Sequence, residues 1–153
     1  MKTIALLFAV GTFVLAGCSP AQNAVNTSSH KAAIEAVFDQ RAKLETKEGS
    51  ISYFSKKDLP GVMAIKVQNC PADFRSAWFD YLVQVQNLHT RAERVAMFAT
   101  TAGKPVSGVA ALVKFAASDP GLGKYLLGAV DRVDDAWDKL ERTAMNYDVM
   151  PER

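Results

Sequence analysis

Residues 71–95, PADFRSAWFDYLVQVQNLHTRAERV, decide the fold. Phe74, Trp78, Tyr81, Val85, Leu88, Ala92 and Val95 recur at alternating steps of four and three. That period brings them to one side of an α-helix. Ala77, Leu82 and Ala96 widen the apolar stripe, while Asp80, Gln84, Asn87, Arg91 and Arg94 fall on the opposite arc. Asn69 or Cys70 is placed to cap the start. Pro71 suits a first turn, where a missing N–H costs nothing, and Asp73 sits at the positive end of the helix dipole. The stretch predicts an amphipathic helix that ends near Thr100–Gly103.

The same rhythm returns further along the chain. Leu126, Val130, Val133, Trp137, Leu140, Ala144 and Tyr147 step by four and three again, predicting a helix from about Gly123 to Tyr147. A shorter helix is expected from about Lys104 to Ala117, with Pro105 near its first turn. Its face would be Val106, Val109, Ala110, Val113 and Ala117. Ser118-Asp119-Pro120-Gly121 reads as the turn between the two. Gly121, Gly123 and Gly128 do not fit a phosphate-binding fingerprint and read as turn and close-packing glycines. On the N-terminal side, Ser28 or Ser29 is expected to cap a helix carrying Ile34, Val37, Phe38, Arg41, Ala42 and Leu44. Its stripe is apolar except for Arg41. Glu48-Gly49-Ser50 would end it, and 50–61 would form a loop. Met63, Ile65 and Val67 alternate with Ala64, Lys66 and Gln68 as a short extended segment. The fold class is therefore all-α: a small antiparallel bundle of about four helices.

Composition bounds the function. With 153 residues, 49% hydrophobic, 22% charged and a net charge of +2, the chain can bury one core. It is neither a disordered acidic tail nor collagen-like. The charge is too mild to argue for nucleic acid, and no nucleic-acid partner is expected.

The apolar residues are unevenly placed. Lys2 is followed by a nearly continuous apolar run from Ile4 to Leu15, broken by Gly11 and Thr12. A membrane-spanning helix needs about 20 such residues, and this run has the length of a signal-peptide core. It ends in Leu15-Ala16-Gly17-Cys18, which resembles the lipobox of bacterial lipoproteins. The resemblance covers residues 1–18 and implies cleavage between Gly17 and Cys18. It also implies lipid attachment to the Cys18 thiol and anchoring without a transmembrane helix. Two or more acyl chains make such an anchor stable, each buried CH₂ contributing about 0.8 kcal/mol. In Gram-negative lipoproteins an Asp after the Cys favours inner-membrane retention. Ser19 stands here, which implies the outer membrane, periplasmic side, with the outer leaflet of the inner membrane as the alternative.

Removal of 17 residues from the 153 leaves 136. The expected organisation is a cleaved signal peptide at 1–17, a flexible tether at 18–29 and a helical domain at 30–153. The tether reading rests on Ser19–Ser29, which is polar, aperiodic and carries Pro20.

No constellation of side chains announces catalysis, and no catalytic residue, metal or cofactor is expected. Asp131, Asp134, Asp135 and Asp138 share one helical face. Lys139 and Arg142 follow Asp135 and Asp138 by four, which reads as a solvated ion-paired face. His89 precedes Glu93 by four and reads as a surface contact, while His30 abuts the tether. Cys70 would be the lone thiol once Cys18 is acylated. It reads as a buried small hydrophobe, although a place at a helix start can lower a thiol's pKa, and pairing between chains stays open. Phe79 and Val83 lie off the main stripe, with Met97 on a similar heading. Internal packing is the leading expectation for them, and a partner-contact patch is the other.

Cys70-Pro71-Ala72-Asp73-Phe74-Arg75 with Ala77-Trp78 resembles a segment of uncharacterised exported bacterial proteins and implies no activity. The expected function is a non-catalytic interaction or structural lipoprotein of the envelope, with the membrane and an envelope protein as partners. The alternatives are a small-molecule or lipid carrier lined by Phe74, Trp78, Tyr81 and Trp137, or an envelope enzyme.

Overall fold

The computed structural model describes residues 20–44, 59–103 and 109–151. Residues 1–17, Cys18 and residues 50–58 of the expected 50–61 loop lie outside the described residues, and 59–61 of that loop are helical instead. Five helices are present among the described residues, and no strand. They are α1 (Pro20–Leu44), α2 (Leu59–Met63), α3 (Ala72–Thr101), α4 (Val109–Ala117) and α5 (Pro120–Met145). The protein is all-α, as its periodicity requires.

The two long stripes meet each other. α3 and α5 lie side by side and antiparallel, joined at three levels. The Tyr147 hydroxyl donates to Asp73 Oδ1 at 2.9 Å. Lys139 Nζ donates to Asp80 Oδ2 at 2.6 Å. Arg91 Nη1 donates to the Tyr125 carbonyl at 2.8 Å, and its guanidinium lies 4.5 Å from the Tyr125 ring centre. Between these levels Phe74, Trp78, Tyr81, Val85, Leu88 and Val95 are buried against Leu126, Val133, Trp137, Leu140 and Ala144. Val130 and Tyr147 are partly buried at the edge. Buried Ala77, Ala92, Ala129 and Ala136 let the backbones approach between the larger side chains.

Helix ends follow local chemistry. α3 starts after Pro71, with no side-chain capping bond at that position. Asn69 and Cys70, the expected caps, precede it. Asp73 instead accepts from the Phe74 N–H at 2.8 Å. The turn expected at 118–121 is the cap of α5. Asp119 accepts from the Gly121 and Leu122 N–H groups, and Pro120 opens the helix. α5 ends in a Schellman motif. The Val149 N–H bonds the Ala144 carbonyl and the Asp148 N–H bonds that of Met145, while Asp148 takes φ 58°. This turn drives Val149 into the core.

Several expectations need correction. α1 begins at Pro20 rather than at Ser28 or Ser29, so residues 20–29 are helical and not a flexible tether. Once residues 34–41 are packed, each further turn adds a hydrogen bond without a new nucleation cost. Nothing between Ala21 and Ser29 breaks the helix, and Pro20 is tolerated at its first position. The segment read as starting at Met63 is helical there: Met63 ends α2 and is exposed. Ile65 and Val67 are buried around exposed Lys66, without a partner strand. In α4, Leu112 and Ala116 are buried and Ala117, expected on the buried face, is exposed. Val106 lies outside the described residues. A nearly charge-free sequence carries no polar arc to mark which side of its helix faces solvent, so the exposure of Ala117 was not legible.

Close packing of α4 on α5 makes Gly123 a sensitive position. A Cβ there would lie 2.9 Å from the Ala116 carbonyl oxygen, which is backbone and cannot swing aside. Gly123→Ala is expected to lower stability by about 1–3 kcal/mol, outweighing its roughly 1 kcal/mol gain in helix propensity. Gly128→Ala meets only Arg132 Nη1 at 4.0 Å and should raise stability instead. Thermal unfolding of the two variants, with opposite shifts in Tm, checks the packing.

Candidate functional site

The solvent side of α3 carries the candidate contact residues. Phe79 is 56% exposed, Val83 52% and Met97 67%, so the expectation that other helices cover them is overturned. α3 presents its stripe to α5, and no described element covers the opposite side at these positions. Phe79 and Val83 are one turn apart and form a small apolar step. Met97 lies about 21 Å further along the helix from Val83, at 1.5 Å per residue. Exposed Gln86, Asn87, Thr90 and Arg94 intervene. Phe98, 54% exposed, joins Met97 and was not among the expected residues. It falls about 100° round the helix from Met97, so its heading gave it no place with Phe79.

Arg41, the single polar member of the α1 stripe, proves to be buried, at 2% exposure. Its guanidinium lies 4.1 Å from the Trp137 ring centre and 5.9 Å from that of Tyr81. Phe38 packs edge-on against Phe74 and Trp137, at 5.7 and 5.9 Å between centroids. Tyr81 meets Trp137 at 5.3 Å and Trp78 at 6.0 Å. The four aromatic residues suggested for a carrier cavity thus pack on one another and on α1. A planar cation stacked on indole recovers part of its desolvation cost through the ring quadrupole. The Trp137 Nε1 donor is buried in the same cluster with no acceptor. What this does chemically is to pin α1 to the α3–α5 pair.

The remaining candidates are placed as follows. Asp131, Asp134 and Asp135 are exposed and Asp138 is half-buried. Lys139 does not follow the spacing to Asp135 but crosses to Asp80. Among the described residues no group of three metal-ligating side chains is assembled. His30 meets the Tyr147 ring edge-on at 5.9 Å, and His89 is half-buried on α3. The Tyr147 hydroxyl is held above its ordinary pKa by burial, then by its bond to Asp73 and the charge of that carboxylate. Gly17 and Cys18, the expected cleavage and lipidation residues, lie outside the described residues.

Cys70 is buried, at 4% exposure, and carries a free thiol. Burial pushes its pKa up, and the nearby Arg75 charge only partly offsets that, so the lowering expected from a helix start does not occur. The chain matches no known protein family, no curated protein and no solved structure.

Arg41→Ala should lower stability by about 2–4 kcal/mol in urea unfolding, and Arg41→Lys should recover less than half of it, because an ammonium does not lie flat on indole. Full recovery by Lys would show that charge alone suffices. Native Cys70 should react with a disulfide reagent at least tenfold more slowly than in the unfolded chain. Its folded pKa lies above the unfolded one. Its contribution to stability is therefore present below the ordinary thiol range and lost as pH rises through the folded value. A flat stability profile above that range would contradict the burial.

Proposed function

We propose that this protein is a bacterial lipoprotein, anchored through Cys18 and serving a non-catalytic interaction or structural role in the cell envelope. The observation that carries the reading is the Leu15-Ala16-Gly17-Cys18 motif at the end of the apolar run from Ile4. Thioether formation requires a thiol at that position, and peptidase access to the Gly17–Cys18 bond requires small residues before it. Ser19 favours the outer membrane, periplasmic side. Among the described residues no helix is long and apolar enough to cross a membrane, which is compatible with attachment by covalent lipid.

The interaction role is supported by exposed Phe79, Val83 and Met97 on α3. Large side chains exposed on a helix face, ringed by polar residues, suit contact with another protein more than they suit water.

Cys18→Ser is expected to abolish labelling by radioactive palmitate and leave the uncleaved precursor. Persistence of a processed, labelled species would remove the lipoprotein reading. A photo-crosslinking residue at position 83 should form a discrete adduct with an envelope protein in intact cells. Phe79→Ser should abolish that adduct while changing stability by no more than about 0.5 kcal/mol. No adduct from position 83 or 97 would count against the contact role.

A further inference from the structure

On α1, His30 meets Tyr147, just past the end of α5. Phe38 then meets Phe74 and Trp137, and Arg41 reaches Trp137 and Tyr81. This order runs up α3 and down α5, so α1 is parallel to α3 and antiparallel to α5. Residues 20–29 precede His30 in the same helix. They must therefore leave the bundle at the end where α3 starts and α5 stops. Thr27, Ser28 and Ser29 are exposed, as a projecting segment requires.

We infer that residues 20–29 form a rigid helical stalk that orients the domain on a lipid bilayer. The end bearing Asp73 and Asn146 faces the bilayer, and the end bearing Met97 and Phe98 points away. This rests on the reading of Cys18 as the lipidated residue. Cys18 precedes Pro20 by two residues, which reach about 7 Å at most. The lipid therefore enters the bilayer close to the helix start. Ten helical residues span about 15 Å, and Met97 lies about 36 Å along α3 from Asp73. A polar coil of the same composition would let the domain roll onto any face. A helix continuous with the packed part of α1 transmits direction, so Phe79 and Val83 stand at one height above the bilayer and Met97 and Phe98 at a greater one.

The test uses the lipidated chain in phosphatidylcholine vesicles with acceptor dye on the headgroups. A donor dye is attached through Asn146→Cys or Met97→Cys, each in a Cys70→Ala background. Energy transfer from 146 is expected to exceed that from 97 severalfold, and Thr27→Pro should bring the two together. Equal transfer before that substitution, or an unchanged difference after it, overturns the oriented stalk. A spin-label pair at 24 and 146 in the detergent-solubilised chain separates the two readings. One narrow distance that broadens with Thr27→Pro supports the stalk, and a broad distribution without it overturns the stalk whatever the lipid. Mass spectrometry showing Cys18 unmodified, with the narrow distance kept, overturns the anchor and with it the membrane orientation.

Discussion

Everything else in the molecule is arranged around the burial of two matched stripes, one on α3 and one on α5. Neither helix can hide its aromatic side without the other. The gain is about 1.5–3 kcal/mol for each large apolar side chain removed from water. The exposed Lys139–Asp80 pair that bridges the same helices is worth no more than about 1 kcal/mol despite its 2.6 Å separation. Hydrophobic burial therefore sets the pairing, and the polar ties at Tyr147–Asp73, Lys139–Asp80 and Arg91–Tyr125 hold its register. The chain enters α5 from the nine-residue α4 through the tight turn at Ser118–Asp119, and α5 runs back along α3.

Docking α1 onto this pair obeys a different rule. Its stripe is narrower, and Arg41 interrupts it with a charge. The charge is accommodated because Trp137 and Tyr81 present ring faces at that place, and a guanidinium is flat enough to lie on indole. The result is a helix held through its middle and C-terminal half and continuous with residues 20–29. A stretch whose composition suits a coil thereby becomes helical, since the packed turns supply the nucleus that short isolated helices lack.

The functional reading sits at the two places this architecture leaves over. One is the segment before α1, which we propose carries a processing signal. The other is the outer side of α3, which the pairing with α5 cannot cover. α3 has apolar residues on more sides than the described helices around it cover. Phe79 and Val83 are therefore left to solvent by geometry and not by any preference of their own.

The sequence alone determined the helical class, the α3 and α5 stripes and the limits of α3 to within a residue or two. It also carries the Leu15-Ala16-Gly17-Cys18 motif on which the proposed anchoring rests. These are legible because a 3.6-residue period and a local motif need no distant partner to be read. Arg41 was visible as an anomaly but not as a buried stack, since nothing near it in sequence names Trp137. Phe79 and Val83 could be placed on a heading, yet whether that heading met another helix depended on how many helices came to surround α3. The exposure of Ala117, the rise in the Cys70 pKa and the helical state of residues 20–29 were likewise settled only by tertiary structure. Each turns on which atoms from remote segments arrive beside the residue, and burial and nucleation are properties of the assembled bundle.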